Sequence, residues 1–134
     1  MNIPILQLRN TLLTSLQADL TDRDIIEFQD NLLRVVEQTN AAGAVIDITA
    51  LDIVDSFMAR VINDTASMVR LLGTEVVISG MQPSVALTLI EMGRELIGVQ
   101  SALNLDQAID MLQELTNGGS DVVAIETGGQ DGNQ

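Results

Sequence analysis

Ser56 is the residue whose surroundings best suit it to chemistry. Its hydroxyl follows the acidic residues Asp52 and Asp55 and is flanked by Ile53, Val54, Phe57 and Met58. A serine so placed, between acidic and apolar residues, suits a regulatory site. The same position suits a plain helix N-cap, because Ser and Asp side chains accept a hydrogen bond from an otherwise unpaired backbone N–H. The sequence leaves both roles open. The apolar neighbours likewise form a protein-docking patch if they are exposed, or part of the core if they are not. Asp47, Asp52 and Asp55 make a second constellation. They fall at and after the end of a predicted strand, where ligands gather in open α/β sheets, so a magnesium pocket has to be weighed against solvated loop carboxylates that cap a helix.

Absent residue types remove most other chemistry. There is no histidine and no cysteine, hence no Ser-His-Asp or Cys-His nucleophile, no zinc site of the common kinds and no disulfide. The six basic residues are all arginine. Without lysine the chain has neither a Walker-type phosphate loop nor the basic residue that would complete a phosphate-accepting receiver site, and no Gly-x-Gly-x-x-Gly run occurs. The sequence thus predicts no enzyme activity, no cofactor and no metal. A formal net charge of −13, with Phe28 and Phe57 as the only aromatic residues, argues against nucleic acid, which is held by cations and stacking platforms. It argues equally against an anionic membrane surface. The opening Met1-Asn2-Ile3-Pro4 lacks the basic and apolar regions of a signal peptide, so a cytoplasmic location is expected.

The elements that must position Ser56 are read from periodicity. Ile3-Pro4-Ile5-Leu6-Gln7-Leu8 and Leu12-Leu13-Thr14-Ser15-Leu16 predict two short strands joined by a turn at Arg9-Asn10-Thr11. From Thr21 or Asp22 the period becomes helical, with Ile25, Phe28, Leu32 and Val36 on one face and an end before Gly43. Ala44-Val45-Ile46-Asp47-Ile48 predicts a buried strand that leads into the acidic loop. A helix follows Asp55-Ser56, with Met58, Val61, Ile62, Thr65, Val69 and Leu72 inward and Gly73 at its C-terminal cap. Glu75-Val76-Val77-Ile78-Ser79-Gly80 predicts the next strand. Pro83 opens a further helix that buries Val85, Leu89 and Met92, a weak strand lies near Val99, and a last helix carries Leu105, Ala108, Ile109, Leu112 and Leu115 on one side. The order is α/β, with about four helices packed on a mixed central sheet containing parallel crossovers. The domain is expected over residues 1–117. Five glycines among residues 118–134 predict a flexible tail, in which Val122-Val123-Ala124-Ile125 forms a transient strand or docking peptide.

Taken as a unit, Ala44-Val45-Ile46-Asp47-Ile48-Thr49 followed by Asp52-Ile53-Val54-Asp55-Ser56-Phe57 resembles the signature of STAS domains, the family of anti-sigma factor antagonists. Further agreement comes from Val69-Arg70-Leu71-Leu72-Gly73, Val76-Val77-Ile78-Ser79-Gly80 and Gln82-Pro83-Ser84-Val85-Ala86-Leu87-Thr88-Leu89. The likeness runs from about residue 3 to 116 and is strongest to the small single-domain component of the bacterial stressosome. It implies a STAS-type fold, assembly as a homo-oligomer and with RsbR-type STAS paralogues, capture of an RsbT-like serine kinase, and resetting by an RsbX-like phosphatase. It also implies that Ser56 is the kinase target, that Thr88 is a second and weaker candidate, and that Asp52, Ile53, Val54, Asp55, Phe57 and Met58 contact partners. The same resemblance allows a stand-alone antagonist that binds one anti-sigma kinase directly.

Overall fold

The computed structural model describes residues 2–93 and 98–127, with side chains as far as Thr116. Its elements run β1 (Ile5–Leu8), β2 (Thr11–Ser15), α1 (Asp22–Thr39), β3 (Gly43–Asp47), α2 (Ser56–Leu71), β4 (Glu75–Ser79), α3 (Pro83–Glu91), β5 (Val99–Ala102) and α4 (Leu105–Thr127). The five strands form one mixed sheet in the order β1-β2-β3-β4-β5. β1 pairs antiparallel with β2, and the remaining pairs are parallel. Each parallel crossover therefore moves one strand in the same direction, and the right-handed preference of such crossovers sends α1, α2 and α3 to the same face. α4, which follows the last strand, covers the other.

Side-chain alternation separates the two cores. Leu12, Ala44, Ile46, Val76 and Ile78 join Ile25, Phe28, Leu32, Met58, Ile62 and Val69 in the larger one. Val45, Val77 and Ala102 point the opposite way and meet Ala108 and Leu112 of α4. The central strands are buried on both faces, which is why their sequences are near-continuous apolar runs. Gly43 is part of this arrangement: a Cβ there would lie 2.7 Å from three side-chain atoms of Leu112, so the missing side chain lets α4 approach β3.

α1 begins as the sequence predicts. Thr21 is the N-cap, its hydroxyl accepts from the Asp24 N–H at 3.1 Å, and the Asp24 carboxylate accepts from the Thr21 N–H at 3.0 Å. The reciprocal pair satisfies two otherwise orphaned donors.

Five expectations need correction. Leu72 is 55% exposed, because α2 ends at Leu71 and Leu72 turns out of the helix before the left-handed Gly73. Met92 lies just past the end of α3 and is only half-buried, while Leu105 opens α4 on the solvent side. The last helix does not stop at Thr116. Its backbone continues through Asn117-Gly118-Gly119 to Thr127, as a helix can when each interior glycine costs about 1 kcal/mol. The segment expected as a transient strand at 122–125 is thus helical backbone, and the rest of the expected tail, residues 128–134, lies outside the described residues.

Candidate functional site

The loop that presents Ser56 starts at the carboxyl edge of the sheet. The pairing register aligns Ser15, Asp47, Ser79 and Ala102 in one row across β2 to β5. Asp47 accepts hydrogen bonds from the Ser79 hydroxyl at 2.7 Å, the Thr49 hydroxyl at 2.8 Å and the Ser15 hydroxyl at 3.3 Å. Its charge is stabilised by three donors that tie the ends of three neighbouring parallel strands together. The carboxylate considered as a magnesium ligand is instead committed to this latch. Among the described residues no group of three or more acidic side chains is arranged to hold a metal ion.

Beyond Asp47 the loop is anchored from inside and from the side. Ile48 and Leu51 are buried, and the Leu51 N–H donates to the Ile48 carbonyl at 3.0 Å. The Gln82 side-chain amide donates to the Thr49 carbonyl at 2.9 Å, and the Ser84 hydroxyl donates to the Asp52 carbonyl. The start of α3 therefore clasps the loop. Gly80 makes room for it: at φ +75 its Cα faces Thr49, whose side chain any Cβ would overlap.

From this platform the chain rises into α2. Asp55, not Ser56, is the N-cap: its backbone is extended, and its carboxylate accepts from the Met58 N–H at 2.8 Å. Ser56 is the first helical residue. It is exposed, and its hydroxyl makes no hydrogen bond among the described residues. The Ala59 N–H donates to the Asp55 carbonyl at 3.0 Å. With Met58 and Ala59 so engaged, the N–H groups of Asp55, Ser56 and Phe57 are the donors left over at this helix start among the described residues. The Arg60 guanidinium, one turn on, sits 5.5 Å from the centre of the Phe57 ring.

The predicted site residues divide by exposure. Asp52, Ile53, Asp55 and Ser56 share the exposed corner, and Ile53 is 84% exposed. Val54 and Phe57 are half-buried and pack against the larger core. Met58 is inside that core at 8% exposure, so its expected place in a contact surface is corrected to support of the helix from beneath. Thr88 is half-buried on α3, and its hydroxyl donates to the Ser84 carbonyl at 3.1 Å, in its own helix. Sequence reasoning missed Gln82, Ser84 and Arg60. Only Arg60 had a local signal, its spacing of four from Ser56 on a helix.

A STAS domain family model matches residues 2–108. An RsbS of Moorella thermoacetica carrying a serine-to-glutamate exchange is 36% identical, covers 87% of this chain and 99% of its own, and superposes with a TM-score of 0.79. A chain from a structure of the stressosome, described as a signal integration and transduction hub, is 39% identical, with 84% and 97% covered and a TM-score of 0.75. The RsbT co-antagonist protein RsbRA of Bacillus subtilis is 31% identical over 88 residues, which are 66% of this chain and 32% of RsbRA. The chain therefore spans about a third of the length of that relative. No helix among the described residues is long and apolar enough to cross a membrane.

Proposed function

The chain belongs to the STAS domain family, and from that footing we propose that it is a non-enzymatic component of a stressosome that holds a switch kinase and releases it when Ser56 is phosphorylated. The observation that carries this reading is the state of Ser56: exposed, without a hydrogen-bond partner among the described residues, and relieved of capping by Asp55. A serine needed for the cap would be withdrawn from a kinase. This one is not.

In the proposed switch the γ-phosphoryl group of ATP passes to the Ser56 oxygen, the hydroxyl proton goes to the kinase's base and ADP leaves. The new phosphate stands at a helix start whose dipole and spare N–H groups tolerate it. Arg60 is spaced to pair with it along the helix. Asp52 and Asp55 repel it, and any partner packed on Ile53 meets a strongly hydrated dianion. Release follows from charge and desolvation at the contact, with the fold unchanged. RsbR-type STAS paralogues and further copies of this chain would form the assembly, an RsbT-like serine kinase would be the captured partner, and an RsbX-like phosphatase would restore the hydroxyl. All of this belongs to the cytoplasm. Thr88 is the weaker candidate, because its hydroxyl is engaged and half-buried.

The test is intact-mass spectrometry of the chain incubated with an RsbT-type kinase and ATP. One phosphate is expected on the wild type and none on Ser56→Ala. A phosphate that persists in the variant, or none on the wild type, overturns the assignment.

A further inference from the structure

The end of α2 opposite Ser56 carries a second apolar surface. Leu71 is 86% exposed, Leu72 55% and Met68 40%, and with half-buried Leu33 of α1 they line an open trough of about 620 Å³ between the two helices. Its rim holds Asp30, Arg34 and Glu37. A smaller hollow of about 290 Å³ extends it past Leu72 to Asn40, Gly73 and Thr74.

The charge at the trough is unfavourable to the isolated chain. Glu37 sits in the last turn of α1, which has no basic residue, so a carboxylate faces the negative end of a helix dipole. No ion pair among the described residues neutralises Asp30 or Glu37. Arg34, on the same rim, donates to the neutral Asn31 side chain at 2.9 Å, so two carboxylates face one guanidinium and the rim keeps a net negative charge; Arg70 at the end of α2 is engaged by Glu75 at 3.4 Å. An apolar floor, a negative rim and a net charge of −13 are complementary to an amphipathic helix with aliphatic side chains on one face and Lys or Arg beside them.

We infer that the trough between α1 and α2 is a docking groove for a basic amphipathic helix of a partner protein. It is independent of the Ser56 switch. The sixteen residues of α2 at about 1.5 Å each place Leu71 about 22 Å along the helix from Ser56, so both surfaces can be occupied together.

The probe is a synthetic 18-residue Leu/Lys peptide with leucines at helical spacing, titrated into the full chain and followed by amide chemical shifts and fluorescence anisotropy; a Leu/Glu peptide of the same pattern is the control. Shifts are expected at Leu33, Met68, Leu71 and Leu72. Leu71→Gln, at an exposed position, weakens binding about tenfold, and Glu37→Gln weakens it roughly threefold. Asp106→Asn in the first turn of α4 and Ser56→Asp leave it unchanged, the latter whether or not Ser56 proves to be a kinase target. Equal binding of the Leu/Glu peptide, shifts centred elsewhere, or an unaffected Leu71→Gln variant would each overturn the inference. So would concentration-dependent shifts at the groove without peptide that Leu71→Gln abolishes, since the occupant would then be a second copy of the chain.

Discussion

Asp55→Ala and Ser56→Ala, compared side by side, test the assignment of the helix start on which the Ser56 switch depends. Asp55 supplies the side-chain bond to the Met58 N–H, and replacing an N-cap aspartate by alanine costs about 1 kcal/mol. Met58 is buried, so water is poorly placed to replace the lost acceptor. Ser56 loses nothing on truncation: its hydroxyl has no partner among the described residues, and alanine is the better helix former by up to about 0.5 kcal/mol. With a urea slope of about 2 kcal/mol per molar, the midpoint should fall by about 0.5 M for Asp55→Ala. For Ser56→Ala it should stay level or rise by about 0.2 M. The assay is urea denaturation followed by far-UV circular dichroism. If Ser56→Ala loses about 1 kcal/mol while Asp55→Ala is neutral, the cap is Ser56, its hydroxyl is occupied, and the alanine variant is no clean non-phosphorylatable control.

Two further outcomes concern the platform. Gly43→Ala should destabilise the fold by about 1 to 3 kcal/mol, because its methyl group has to displace the buried Leu112 side chain; in a Leu112→Ala background the added cost should shrink, which a double-mutant cycle measures directly. Asp47→Ala removes the shared acceptor of the Ser15, Thr49 and Ser79 hydroxyls, and with Ser79 fully buried a loss of about 1 to 3 kcal/mol is expected in thermal unfolding. Asp47→Asn keeps a carbonyl acceptor and should lose less.

The layered α/β fold was legible because its signals are local. Ile25, Phe28, Leu32 and Val36 repeat at helical spacing and all are buried, and Thr21 with Asp24 marks a helix start within four residues. What escaped is non-local or turns on a single residue. Asp55 and Ser56 are both good caps and adjacent, so periodicity cannot choose between them; the choice is made by which side chain reaches the Met58 N–H. The partners of Asp47 on neighbouring strands are thirty-two residues away on either side, set by strand register that no local window contains. The clasp by Gln82 and Ser84 has the same origin. Leu71 and Leu72 fit an apolar helix yet face solvent, because spacing records which residues share a face and not whether another element covers it.

The strictly sequential strand order bears on how the chain comes to be folded. Every strand after the first pairs with the strand made just before it, so the sheet can grow one crossover at a time as the polypeptide emerges from the ribosome, with few distant closures to wait for. α4 is the exception. It is the last of these elements to be synthesised, yet among the described residues it alone covers Val45, Val77 and Ala102. Until residues 105–116 have been released, the nascent sheet keeps one greasy face open, and a ribosome stalled before Leu105 leaves a ready substrate for chaperones and for aggregation.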